Sequence, residues 1–325
     1  MEYLNFEMIT EEGYSETMKS VVEPFLDGLR QEKIFRYKDG QKVYCQYYIP
    51  EDAKGTICTS HGFSECAEKF REMIYYFLKS GYAVVAVDHR GHGRSRFDDD
   101  NAPAYHATHV DDFEDYVRDL DMVVRNIMKP LMPAPYNLFC HSMGGCIGAM
   151  YLELHPAVFE KAVLSSPMME LPGMKTPASI IKNFGRTAKA MGKGSNLAPS
   201  QGLFNPQRDL ESSGAGSEAR YAYYHDIQLS NPLFQNSGSS ISWASEAYIA
   251  MGDVLKEENC DNVQTKILLF QAENDAFVWP GGQNTFISQV ADGQLVFVAG
   301  AKHEIYMEKD EIVKDYLVKI FEFLD

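Results

Sequence analysis

Residues 138–148 read Leu-Phe-Cys-His-Ser-Met-Gly-Gly-Cys-Ile-Gly, an apolar run that ends at a serine and continues into a helical pattern of small residues. A serine at such a junction is held on a strained turn with its hydroxyl lifted off the sheet, and small residues two before and two after it let strand and helix approach closely. Here those two residues are Cys140 and Gly144. The usual pattern has glycine at both, so Cys140 is a departure that a small side chain accommodates. A serine hydroxyl is a poor nucleophile without a base, and the base needs an orienting acid. Both follow later in the chain. Asp275 lies in Gln271-Ala-Glu-Asn-Asp-Ala-Phe-Val278, after the apolar run 266–270, and His303 lies in Ala299-Gly-Ala-Lys-His-Glu304, after the run 294–298. The chemistry open to Ser142, Asp275 and His303 in that order is acyl transfer through a covalent acyl-enzyme. Glu273 is the rival acid, because loop register is not fixed by sequence.

A tetrahedral intermediate carries an oxyanion, which needs two preorganised N–H donors. Met143 supplies one. The second is expected from Ser60-His-Gly-Phe-Ser-Glu65, where Gly62 permits a tight turn and Phe63 presents its amide. His61, with His89 and His92 in Asp88-His-Arg-Gly-His-Gly-Arg-Ser95, invites a metal reading. Zinc needs three convergent ligands, however, and backbone geometry with pairing of Arg90 explains the turn, so no metal is expected. His141, next to the serine, reads as a packing or supporting residue rather than the base.

These residues must sit at the ends of strands. Short apolar runs at 55–60, 82–87, 136–140 and 161–165 read as strands buried on both faces, separated by helices. The clearest helix spans about 109–128, with Val110, Phe113, Val117, Leu120, Val124 and Ile127 on one face behind Thr108 and Asp111 as a capping pair. The alternation stops after Pro167 and resumes with the runs at 266–270 and 294–298, before a closing amphipathic helix from Ile312 to Leu324. The fold class is therefore α/β, a mostly parallel doubly wound sheet. Its core comprises residues 1–167 and 251–325, and residues 168–250 form an inserted, mainly helical cap. That cap carries Met168, Met169, Met174, Phe184, Phe204, Tyr221, Tyr223, Tyr224 and Trp243, which either line an apolar channel or form its own core.

The 325 residues carry 30 Lys+Arg against 46 Asp+Glu, a formal charge of −16. No Lys/Arg cluster is evident, which excludes nucleic acid as partner and disfavours anionic membrane surfaces, leaving at most transient membrane contact. No apolar run approaches the ~18 residues of a membrane span, and no basic n-region opens the chain. The six cysteines are scattered through core-like segments, unlike a disulfide framework. A cytoplasmic protein with reduced thiols is expected; oligomeric state is not legible.

His61-Gly-Phe-Ser-Glu65, Asp88-His-Arg-Gly-His-Gly-Arg-Ser95, His141-Ser-Met-Gly-Gly145, Asp275 and Gly300-Ala-Lys-His-Glu304 together resemble the lysophospholipase and monoglyceride lipase group of the α/β-hydrolases. The resemblance runs from about residue 33 to the C-terminus and is loosest in the cap, though Ser217 to Trp243 is similar to bacterial lysophospholipases. It implies an α/β-hydrolase fold, Ser142 as nucleophile, Asp275 and His303 as its partners, and Phe63 and Met143 as oxyanion donors. It also places Glu65 near a glycerol headgroup, with His141 and Trp243 as further candidate substrate contacts. The implied activity is hydrolysis of single-acyl lipids, a lysophospholipid or monoacylglycerol, without a cofactor. Two alternatives stay open: a proline-iminopeptidase-like aminopeptidase, for which Glu211, Glu218 or Asp226 could bind the free amine, or a small-ester or thioester hydrolase. A non-catalytic ligand-binding protein on the same scaffold is the reading from another class.

Overall fold

The computed structural model describes residues 4, 6–98, 107–236 and 238–325. Eight strands form one sheet: β1 Gln31–Arg36, β2 Lys42–Tyr48, β3 Thr56–Ser60, β4 Ala83–Asp88, β5 Tyr136–His141, β6 Lys161–Ser165, β7 Lys266–Ala272 and β8 Gly293–Val298, in the order β1-β2-β4-β3-β5-β6-β7-β8. The strand β2 runs antiparallel to both β1 and β4, and every pair from β4 to β8 is parallel. All six apolar runs of the sequence are strands here. Alternate residues of β4 face opposite layers, Ala83, Val85 and Val87 one core and Val84 and Ala86 the other, as the two-residue period of a strand requires. The first layer packs on the helices Glu114–Val123 and Met143–Leu154, the second on Arg71–Lys79 and Asp310–Leu324. The sequence order reverses around β3, which pairs with both β4 and β5, and the loops that leave the C-terminal ends of the parallel strands there converge on one crevice.

Two local readings change. The expected helix over 109–128 begins at Glu114 and continues through a wider π turn, Val124–Met128, so Thr108 and Asp111 do not cap it. Asp112 does that work: its Oδ1 accepts the Glu114 amide at 3.0 Å. Thr108 instead bridges to Ser239, and Asp111 pairs with Lys189 at 3.0 Å, so both tie the segment to the insertion. The β1–β2 hairpin and the helical run Tyr14–Leu29 before it carry no apolar run in the sequence. The strand β1 lies at the sheet edge and is almost wholly exposed.

Between β6 and β7 the described residues form the long helices Ala178–Ala190, Glu218–Ser230 and Ile241–Asp253 and the short helical turns Pro232–Phe234 and Glu257–Cys260, with only isolated bridges of β type. The second is anchored by Arg220, a fully buried guanidinium that donates to Glu72, to Asp310 and to the carbonyls of Ile9 and Glu308. Burying an ion of this size is stabilising only when its donors are satisfied, and these partners come from three separate parts of the chain.

At the end of the helix Met143–Leu154, burial and the nearby Asp253 push the Glu153 carboxyl up to about 8, and its Oε1 has no hydrogen-bond partner. The folded state therefore holds a proton that the unfolded chain releases near 4.5. Because the raised value belongs to the folded state, stability falls as pH climbs from about 4.5 to about 8 and then levels off. Glu153→Gln should flatten this slope, raising unfolding stability at about pH 9 by roughly 1–3 kcal/mol while leaving it unchanged near pH 4. Urea titrations of both proteins across that range check it; a parallel slope in the variant would refute the assignment.

Candidate active site

Ser142 joins β5 to the helix Met143–Leu154 with φ 52° and ψ −118°, a backbone conformation an L-residue enters only under strain. The turn closes because Gly144 lies against the end of β3; a Cβ there would stand 2.1 Å from the Ser60 carbonyl oxygen. Cys140 replaces the expected glycine, and the helix makes room for it one turn along. A Cβ on Gly148 would lie only 2.4 Å from Cys140 Sγ, so the thiol occupies the space that Gly148 leaves.

His303 Nδ1 donates to Asp275 Oδ2 at 2.6 Å, and Ser142 Oγ lies 2.8 Å from His303 Nε2. A carboxylate only accepts, so Nδ1 carries a proton and Nε2 is the nitrogen left facing the serine hydroxyl. Burial alone would raise the Asp275 carboxyl. His303 and the amides of Phe277 and Val278, which donate to Oδ1 at 2.8 and 3.0 Å, outweigh it and hold the group below its ordinary value. Glu273 points elsewhere: its Oε2 accepts the Gly300 amide at 2.7 Å and braces the loop that carries His303. The arrangement can pass a proton from hydroxyl to imidazole while the carboxylate fixes the tautomer.

The loop after β3 lies beside the serine, where a Cβ on Gly62 would stand 3.1 Å from Ser142 Cβ. Among the described residues the amides of Phe63 and Met143 donate no hydrogen bond. Glu65, which the resemblance places near a glycerol headgroup, is buried: it accepts from the Gly62 amide at 2.6 Å, Lys69 Nζ at 2.9 Å and Tyr306 Oη at 2.7 Å. Burial pushes its carboxyl up, but the Lys69 ammonium, with the hydrogen bonds from Lys69 and Tyr306, prevails and holds it well below the carboxylate range. Lys69 also pairs with Glu304 at 2.6 Å, tying the loop after β3 to the residue that follows His303. Sequence reasoning passed over Lys69, Glu304 and Tyr306. The four-residue spacing of Glu65 and Lys69 was the available signal.

His141 is buried with its ring 4.7 Å from that of His303, and burial pushes it down to about 3, so it is neutral. Trp243 donates from Nε1 to Tyr116 Oη at 3.1 Å and lays its ring on Phe63 at 4.3 Å. Arg90 forks onto Asp119 at 2.6 and 2.8 Å and reaches Asp115 at 2.6 Å, which explains the turn after β4. His61 accepts the His89 amide on Nε2 and donates from Nδ1 to the Gly62 carbonyl, and burial lowers it to about 4. No group of three or more potential ligands is placed to hold a metal among the described residues.

A cavity of about 760 Å³ opens beside Ser142 and His303. Of the apolar residues noted in the insertion, Met168, Phe204, Tyr221, Tyr224 and Trp243 line it. The others do not. Met169 packs under Gly282, Tyr223 hydrogen-bonds Glu23, Met174 rests on the core and Phe184 is exposed.

A mostly parallel sheet whose strand-to-helix elbow carries a serine within reach of a histidine, itself on a carboxylate from an earlier loop, defines an α/β-hydrolase. Solved structures agree: a soluble variant of monoglyceride lipase from Saccharomyces cerevisiae, in complex with a substrate analog, superposes with a TM-score of 0.68 at 19% identity, over 91% of this chain and 96% of that one. The chain belongs to the family described as Serine aminopeptidase, S33, whose model matches residues 51–310. Among curated relatives, a probable lysophospholipase L2 of Haemophilus influenzae is 23% identical over 98% of this chain and 99% of its own length. Lysophospholipase L2 of Escherichia coli is 28% identical over 81% of this chain and 78% of its own.

Proposed function

We propose that this protein is a serine ester hydrolase that releases a fatty acid from single-acyl lipids, lysophospholipid or monoacylglycerol, through an acyl-enzyme. Ser142 attacks the ester carbonyl as His303 takes its proton. Asp275 holds the imidazole tautomer, and the amides of Phe63 and Met143 receive the oxyanion. His303 then protonates the departing alcohol and later activates water for deacylation. Residues 168–250 act as the cap, and its apolar side chains receive the acyl chain. The observation that carries this reading is the Ser142–His303–Asp275 relay opening onto a cavity lined by Met168, Phe204 and Trp243. Adaptable methionine and flat aromatic faces suit a flexible chain better than a compact polar substrate.

The aminopeptidase alternative needs a carboxylate free to meet an amine. Glu211, Glu218 and Asp226 lie outside the cavity lining, and Asp226 pairs with Arg208. The cavity acids Glu65 and Glu304 are both engaged by Lys69. The relatives named for lysophospholipids and monoglycerides support the same preference.

A panel at equal ionic strength tests it: monoacylglycerol, lysophosphatidylcholine, a diacyl phospholipid, an N-terminal prolyl amide and an acyl thioester. We expect kcat/KM to be highest for the single-acyl esters, with the diacyl lipid at least ~10-fold lower because its second chain has no room. Highest kcat/KM for the prolyl amide would replace this reading with the aminopeptidase. Failure of both turnover and labelling by a fluorophosphonate would return the binding-protein reading.

A further inference from the structure

His303 does not stand on the core alone, because the insertion holds its two chain neighbours. Lys302 Nζ donates to the carbonyls of Leu210, Glu211 and Ser213 at 3.0, 3.1 and 3.4 Å, which employs all three N–H groups of an ammonium. On the other side the Glu304 amide donates to the Gly214 carbonyl at 2.8 Å, and the amides of Gly216 and Ser217 donate to the Met307 carbonyl at 3.2 and 2.9 Å. Residues 210–217 therefore lie as a strap across the loop that leaves β8. The residue between the gripped pair is the histidine that faces Ser142.

The strap is stiff. The Asp209 carboxylate accepts the Ser212 amide and hydroxyl at 3.1 and 2.5 Å, Ser213 Oγ donates to the Leu210 carbonyl at 2.9 Å, and the Asp209 amide donates to Tyr221 Oη at 2.8 Å. It also has no room to slide. A Cβ on Gly214 would stand 2.8 Å from Glu304 Cγ, and one on Gly216 would stand 1.8 Å from Glu308 Oε2. Past Ser217 the strap becomes the helix Glu218–Ser230, whose Arg220 donates to the Glu308 carbonyl at 3.0 Å and to Glu72 and Asp310. Core ties reach the same loop at Gly300, at Ala301 and at the Glu304 carboxylate. Among the described residues, the strap alone holds the Lys302 ammonium and the Glu304 amide.

We propose that Lys302 is a positioning residue for the hydrolytic reaction: through its ammonium, the strap 210–217 sets where His303 Nε2 stands relative to Ser142 Oγ. Those atoms are 2.8 Å apart, and proton transfer to a general base needs roughly 2.6–3.2 Å. A misplacement of about 1 Å costs on the order of 10²-fold. Lys302 does not line the cavity, so its effect reaches the substrate only by way of His303. This part of the insertion is then a component of the machinery as well as a cover over it. The inference rests on the reading of Ser142 as nucleophile and His303 as base.

Lys302→Met tests it by keeping the stem and removing the donors. On a soluble p-nitrophenyl ester it should lower kcat about tenfold. KM should stay within about twofold, because His303 serves acylation and deacylation alike. The unfolding midpoint should stay within about two degrees of the parent, and Lys302→Arg, which returns a cation with donors, should recover most of the rate. Gly214→Ala presses on the strap from the other side and should lower kcat comparably. The double variant should be less than about threefold slower than the slower single one, since both act through one displacement. Parent kcat in Lys302→Met, an Arg variant no faster than the Met variant, a midpoint that falls in step with the rate, or single effects that multiply in the double variant would overturn the proposal. With an active parent, any of these leaves the hydrolase reading standing; a parent that neither turns over the ester nor takes up a fluorophosphonate would overturn both.

Discussion

Ser142→Ala should lower kcat by a factor on the order of 10⁶ on every ester substrate and leave the fold intact, because in the proposed mechanism the hydroxyl supplies the only covalent step while its side chain contributes little to packing. Thermal unfolding within a degree or two of the parent, with the rate collapsed, is the expected pair of results. The same serine is the expected site of fluorophosphonate labelling. Peptide mapping that finds the adduct on another residue, or an active protein that takes up none, would refute the assignment. The prediction is sharp because, among the described residues, the other serine hydroxyls that reach an imidazole, Ser60 at His89 and Ser240 at His109, both at 2.8 Å, lack a carboxylate hydrogen-bonded to the far side of the ring; Asp111 stays 3.7 Å from His109. Ser165 and Ser166 are buried alongside, yet neither Oγ has a hydrogen-bond partner, and the imidazole is already taken by Ser142.

The second large effect separates two carboxylates two residues apart. Asp275→Asn should cost roughly 10⁴ in kcat, since an amide can donate to Nδ1 and stabilise the wrong tautomer, leaving Nε2 unable to accept the serine proton. Glu273→Gln should cost less than about tenfold, because a neutral amide oxygen still accepts the Gly300 amide that Glu273 Oε2 now holds. Single-turnover rates on a p-nitrophenyl ester, taken with burst titration of active sites, isolate the chemical step. A reversed ranking would show that the loop is read in the wrong register.

Much of this was legible before any coordinates because strand ends are where a doubly wound sheet gathers its chemistry. Ser142, Asp275 and His303 each follow a short apolar run, and the runs are unmistakable where both faces are buried. The strands β1 and β2 were missed for the opposite reason: an exposed edge strand such as Gln31–Arg36 has no need of apolar residues, and its neighbour mixes tyrosine with Gln46. Glu65 shows another limit. Its burial depends on Lys69 one helical turn away and on Tyr306 at a separation of 241 residues, and no local pattern announces so distant a partner. The boundary of the helix after β4 failed through competition among acids, where Asp112 rather than Thr108 or Asp111 met the first free amide.

Cys140 and Gly148 bear on how such proteins are found. Read along the chain, the motif around Ser142 is defective, because a residue that should be glycine is not. Read across the interface between β5 and its helix, nothing is missing: a fixed volume is available to the two positions jointly, and here the strand takes it while the helix gives it up. Restoring glycine at 140 alone would open a hole, and enlarging 148 alone would force the layers apart, so each position is constrained only given the other. A pattern search that demands a particular letter two residues before the serine discards this chain. One that weighs positions 140 and 148 as a single quantity of space keeps it, and any relative that exchanges the two sizes along with it.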